Sequence, residues 1–190
     1  GFTVTESSPG AGTLAFDSGR SAWVVTGPND AAINDVLANL TLTSSICGAP
    51  TFTNAGLLRK TAGTGALTVA SCIAMTNTGT VELQAGSLVV SPPATLSTSG
   101  LLTAATGTAV FLHAVTLEAG ATFSGAGTLQ MNGTTTVNGD LTVPLPTVLT
   151  NTVSGPGKLT LAAPMSWVSG SVALSGGLDV AVGQTLTITT

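Results

Sequence analysis

Between Phe52 and Val90 the chain reads FTNAGLLRKTAGTGALTVASCIAMTNTGTVELQAGSLVV, and it repeats itself there. FTNAGLL from Phe52 aligns with MTNTGTV from Met75 at an offset of 23, and FSGAGTL from Phe123 carries the same pattern. Working outward, one glycine series runs through Gly79, Gly100, Gly120, Gly139, Gly157 and Gly176 in steps of 21, 20, 19, 18 and 19. A second series, Gly65, Gly86, Gly107 and Gly127, steps by 21, 21 and 20. Two interleaved series with one period near 20 are the signature of a stacked repeat. Inside each period the apolar residues alternate, as in VEL from Val81, LTV from Leu141, LTL from Leu159 and LDVAV from Leu178. A period of two means strand, and the Gly, Asn and Pro residues that bound these runs turn the corners. The expected fold is therefore all-β: a parallel β-solenoid, or β-helix, with about 20 residues per coil and about seven coils over residues 49–190, rising by about 4.8 Å per coil. An antiparallel β-sandwich also suits frequent turns, but it has no reason to keep the sum of alternating spacings constant.

Residues 1–48 do not share the period and are expected to form an N-terminal strand and cap region. Asp30 as an N-cap, with Ile33, Val36 and Leu37 at helical spacing, predicts one short helix before a strand at Leu40–Thr43. The segment NDVLANLTLT, residues 34–43, resembles the stretch near the end of cadherin-like repeats of giant bacterial surface proteins. Residues 51–90, and more loosely the rest of the chain, resemble the Asn/Gly/Thr-rich repeats of large secreted bacterial proteins, the β-helical segments of adhesins and surface filaments. That resemblance implies an extracellular, structural protein on a cell surface and brings no catalytic residues with it.

The composition of the 190 residues narrows the function. Charged residues are 6%, aromatics 4%, Tyr is absent, and four Lys and Arg face eight Asp and Glu for a net charge of −4. Nucleic-acid binding needs a basic footprint that this chain lacks. Disorder goes with low hydrophobicity, whereas 43% of this chain is hydrophobic. No run is long and apolar enough for a membrane span.

Catalytic chemistry is hard to find. Glu82 and Glu118 are 36 apart and Asp140 and Asp179 are 39 apart, nearly two coils in each case, and Glu82 and Asp179 occupy outward strand positions. His113 is the single histidine, without the companions a metal site needs. There is no G-x-S-x-G elbow, and the repeat accounts for the glycines of GTGAL and GAGTL. The expectation is no enzyme, no cofactor and no metal, with a polysaccharide-acting β-helix enzyme as the remote alternative. Cys47 and Cys72 lie 25 apart. The 23-residue offset puts Cys72 opposite residue 49, which makes a disulfide joining the cap to the first coils plausible.

What remains is assembly. The last residues, with Leu186, Thr187, Ile188 and Thr189 as the candidate open-end strand, alternate and then stop without a capping signal. At the other end Phe2, Thr3, Val4, Thr5 and Glu6 form a candidate assembly strand, with Ser7–Gly12 as a hinge. Unlike ends and a nearly uncharged surface suit a homo-polymer that joins head to tail, by strand edges or by N-terminal strand donation. The alternative is a module that binds ice or polysaccharide through a flat Thr-rich face. Its mark would be T-x-T at one position of every coil, and the sequence does not keep that register.

Overall fold

The structure, a computed structural model, describes residues 13–17, 22–26, 33–36, 40–42, 51–70 and 72–189. Among them are twenty-three strands and no helix. The chain enters through β1 (Thr13–Asp17) and β2 (Ala22–Thr26), an antiparallel pair. β2, β3 (Ile33–Val36) and β4 (Leu40–Leu42) then each pair in parallel with a strand of the following coil, β5 (Thr51–Asn54), β6 (Leu57–Lys60) and β7 (Ala66–Val69). Three strands to a coil, each laid on its counterpart, is the plan from here on. β8 (Ala74–Asn77), β9 (Thr80–Leu83) and β10 (Ser87–Val90) stack on β5–β7, with Thr51 opposite Ala74, Leu57 opposite Thr80 and Ala66 opposite Ser87. The parallel solenoid read from the repeats is the observed fold, with about 21 residues per turn.

The helix expected from Asp30 is corrected. Ile33–Val36 and Leu40–Leu42 are strands, and the register of Ile33 with Leu57 and of Val36 with Lys60 shows what competes with a helix there. Apolar residues at i, i+3 and i+4 favour a helix by spacing alone, since a strand puts i and i+3 on opposite faces, so the choice is made elsewhere. Asn34 and Asp35 favour a helix interior weakly, while the next coil offers an unpaired edge that only a strand can satisfy.

Next come β11 (Thr95–Thr98), β12 (Leu101–Ala104), the long β13 (Ala109–Leu117), β14 (Thr122–Gly125) and the long β15 (Thr128–Val137). The chain continues with β16 (Leu141–Val143), β17 (Thr147–Leu149), β18 (Val153–Gly155), β19 (Leu159–Leu161) and β20 (Met165–Trp167). β21 (Val172–Leu174), β22 (Leu178–Val180) and β23 (Leu186–Ile188) form the last described coil. We call the face made by β2, β5, β8 and β11 the first, that of β3, β6, β9 and β12 the second, and that of β4, β7 and β10 the third. β13 and β15 each cross from the third face of one coil to the first face of the next, which joins those two faces into one fifteen-stranded sheet. The second face carries separate sheets of five and three strands. At the crossing β13 has an irregularity between Leu112 and Ala114, and Gly133 lies over it. A Cβ on Gly133 would sit 1.6 Å from the His113 carbonyl oxygen, so only glycine lets the two backbones approach this closely.

Every strand from β5 to β12 alternates inside and outside, as does β13 on either side of its irregularity, and the inward residues stack into continuous columns. On the first face Phe52, Met75, Leu96 and Val115 are in register, and on the third Leu67, Leu88, Val110 and Leu129. All are buried. Each such side chain withdrawn from water stabilises the fold by roughly 1.5–3 kcal/mol, which makes the columns the main source of stability. The coil shortens along the rod to 18 residues and lengthens again in the last described coil, where Met165 lies opposite Leu186. Cross-coil side-chain hydrogen bonds link residues 23 apart at Asn54 and Asn77, 21 apart at Asn77 and Thr98, 20 apart at Glu118 and Asn138, and 18 apart at Asn132 and Thr150.

Candidate functional site

The ionisable residues come first, because they are few. Arg59 and Glu82 face outward on adjacent coils of the second face, and the Arg59 Nε–H donates to Glu82 Oε2 at 2.8 Å. Gln84 donates to the other oxygen at 2.7 Å. The hydrogen bond from Gln84, then that from Arg59 and its charge, hold the Glu82 carboxyl below the usual glutamate range against a smaller opposing effect of burial. Glu118 accepts from the Ser97 hydroxyl at 3.1 Å and from the Asn138 amide at 2.8 Å. Asp140 accepts the Lys158 backbone N–H at 2.9 Å, and Asp179 stands 3.3 Å from the Lys158 ammonium in an exposed pair. Each of these four carboxylates is thus engaged by a residue of a neighbouring coil. His113 is half-buried at the β13 irregularity. Among the described residues no group of three or more His, Cys, Asp or Glu is placed to hold a metal ion.

Among the described residues one charged side chain is fully buried. Lys60 occupies an inward position at the end of β6 with no exposure, and its ammonium donates to the carbonyl oxygens of Ala62 at 2.6 Å and Gly63 at 3.3 Å. Burial pushes its pKa down from 10.5. On the first face Asn54 and Asn77, which the repeat places in equivalent corner positions, are fully buried and form a ladder. The Asn54 amide donates to Asn77 Oδ1 at 2.7 Å and to the Thr80 carbonyl at 2.9 Å, and Asn77 donates to the Thr98 hydroxyl at 3.0 Å.

Cys72 is disulfide-bonded, and Cys47 lies outside the described residues. Phe2–Glu6, the candidate assembly strand, also lies outside them. The candidate open-end strand is placed: Leu186–Ile188 is β23, in parallel register with Met165–Trp167, and the Thr189 N–H donates to the Trp167 carbonyl at 2.9 Å. Among the described residues β21, β22 and β23 pair only with β18, β19 and β20, so one edge of each strand has no described partner. Their inward Leu174, Leu178 and Leu186 are only partly buried, whereas Val153, Leu159 and Met165 one coil back are at most 2% exposed. Val180 and Ile188 are 40% and 59% exposed. This end presents a three-sided rim of backbone donors and acceptors around an apolar centre.

The second surface was not legible at a fixed spacing. The outward column of the first face runs Thr53, Thr76, Ser97, Thr116, Thr136, Ser154 and Ala173 in continuous register. Beside it Thr51, Ala74 and Thr95 are in register, as are Ala114 and Thr134. T-x-T itself stands in only two of these coils, at Thr51/Thr53 and Thr134/Thr136, so that register is not kept, as the sequence predicts; what corners of unequal length preserve, as the coil changes from 23 to 18 residues, is a single outward column mostly of Thr and Ser. The other two faces differ. Arg59 and Glu82 interrupt the second, and the third carries Val89, Phe111, Gln130 and Val148 in its outward column.

Among the described residues no helix is long and apolar enough to cross a membrane. Comparison of the chain with protein-family models, with curated proteins and with solved structures gives no match.

Proposed function

We propose that this chain is a structural, non-enzymatic rod of an extracellular surface filament or adhesin, and that its copies associate head to tail. The observation that carries the reading is the solenoid itself: each coil presents three parallel strand edges around an apolar centre, and the partner that satisfies all three at once is another solenoid coil. Few charges stand in the way of such a contact. The disulfide at Cys72 supports an oxidising compartment and so an extracellular site. Sedimentation velocity and negative-stain imaging test the reading on the whole chain. The wild type is expected to form rods that lengthen with concentration, and Val180→Lys with Ile188→Lys is expected to keep it monomeric with its fold intact. A wild type that stays monomeric at every concentration would overturn it.

A second reading rests on the in-register hydroxyl column of the first face. Rows about 4.8 Å apart, with outward residues along each strand about 6.7 Å apart, give a flat lattice of hydroxyl and methyl groups suited to a regular solid such as ice or a crystalline polysaccharide. Binding by this surface is expected to fall when Thr76→Lys and Thr116→Lys are introduced together. Unchanged ice shaping or polysaccharide pull-down in that variant, or none in the wild type, sinks this reading.

A further inference from the structure

The chain holds two Asn-Gly pairs, Asn132–Gly133 and Asn138–Gly139, and the fold gives them opposite surroundings. In such a pair the backbone nitrogen of the glycine can attack the side-chain carbonyl carbon of the asparagine, because glycine has no Cβ to shield that nitrogen or to restrict the turn the attack needs. The fold decides whether the peptide unit between the two residues is free to make that turn.

Asn132–Gly133 is held. It lies inside β15, which pairs with β13 along one edge and with β17 and β18 along the other. The Asn132 backbone carbonyl accepts from the Asn151 amide at 3.4 Å, and its side-chain Oδ1 accepts from the Thr150 hydroxyl at 3.2 Å. Gly133 is buried against the His113 backbone. Turning this peptide unit would disrupt ladders on both edges of the strand.

Asn138–Gly139 forms the corner between β15 and β16, and Asn138 is exposed there. Packing demands the glycine, since a Cβ on Gly139 would stand 2.6 Å from Ala119 Cα. Among the described residues neither the Asn138 carbonyl nor the Gly139 N–H makes a hydrogen bond, so the peptide unit between them turns without breaking one. The Asn138 side chain donates from Nδ2 to Glu118 Oε2 at 2.8 Å, in an exposed contact where water can take over either half.

We propose that Asn138 is a spontaneous deamidation site built into this corner, and that its reaction replaces a hydrogen bond between neighbouring coils with a repulsion. The Gly139 nitrogen loses its hydrogen and bonds to Asn138 Cγ, the Cγ–Nδ2 bond breaks, and the side-chain nitrogen leaves as ammonia, taking up that hydrogen by way of solvent. Water then opens the cyclic imide at one of its two carbonyl carbons and leaves an aspartate or an isoaspartate at position 138. Nothing is oxidised or reduced, and the product carries one more negative charge. That charge faces the Glu118 carboxylate, which accepted a hydrogen bond from the amide before, and like charges opposed on neighbouring strands are destabilising.

Incubation of the full chain in mildly alkaline buffer, followed by peptide mapping with mass spectrometry, tests the site, and the same incubation in urea gives each pair its own unfolded rate. After division by that rate, Asn138 in the folded protein is expected to react about tenfold or more faster than Asn132, which must wait for its ladders to open. A smaller ratio, or an Asn138 that reacts only in urea, overturns the site. Asn138→Asp tests the repulsion, because it carries the charge without lengthening the backbone. Amide hydrogen exchange in Leu141–Val143, just past the corner, is expected to be about threefold faster in Asn138→Asp than in the wild type, and the difference is expected to vanish when both also carry Glu118→Gln. A difference that persists without the Glu118 charge, or no difference at all, overturns the repulsion and leaves the deamidation site standing.

Discussion

Lys60 is the residue whose environment departs furthest from its chemistry. Its ammonium is enclosed in the solenoid and held by two corner carbonyl oxygens, and burial lowers its pKa from 10.5. The sign follows from linkage. Below the folded-state pKa the amine is charged in both the folded and the unfolded chain, and the full penalty of burying the charge is present. As pH rises from the folded-state pKa toward 10.5, the unfolded chain binds more protons than the folded one, so stability against unfolding rises. This window is unusually clear, because the chain has no Tyr and its only other lysine is Lys158. Urea unfolding at a series of alkaline pH values is expected to show the rise in the wild type and to lose it in Lys60→Met. The same rise in both proteins would mean that another group is responsible. This burial is not legible in the sequence, where Leu57–Lys60 reads as two apolar residues followed by two charged ones. Strand alternation sends Arg59 outward to Glu82 and leaves Lys60 no direction but inward.

At the scale of the elements, alternation makes most strands legible in the sequence, because one face of each is buried and a slip of one residue would expose it. The cap helix was misread since the choice at Ile33–Val36 is made by the β6 edge, a tertiary partner no local pattern contains. Asn54 and Asn77 were legible as equivalent positions, but a turn preference and a buried ladder share one sequence pattern. The ladder has a consequence that a turn would not. Asn77→Leu removes the acceptor Oδ1 that the Asn54 amide uses and the donor that reaches Thr98, inside the solenoid where water does not replace them. Asn54 keeps its bond to the Thr80 carbonyl. The expected loss is roughly 1–3 kcal/mol of unfolding free energy, measured by urea denaturation. A turn role would allow leucine at a cost near zero.

For the whole molecule, a solenoid couples each coil only to its neighbours, so its stability is a sum along a line. The middle coils have a partner on both sides, and the last described coil has one, which is why Leu112 has no exposure while Leu178 is only partly buried. The same truncation has different consequences at the two places. Leu112→Ala opens a cavity between two coils that cannot collapse without breaking their ladders, and is expected to cost about 2–5 kcal/mol. Leu178→Ala at the rim leaves a space that water already reaches and is expected to cost roughly 1 kcal/mol by area lost from burial. Amide hydrogen exchange on the monomeric Val180→Lys, Ile188→Lys variant should show the same gradient, with β21–β23 opening first and the strands around β13 and β15 last. If copies join end to end as proposed, the gradient at that end should flatten in the wild type, because a second copy then supplies a neighbour. Protection of β21–β23 that is already high in the monomeric variant, and unchanged in the wild type, would show that the rim needs no partner, and would remove the physical reason for copies to join there.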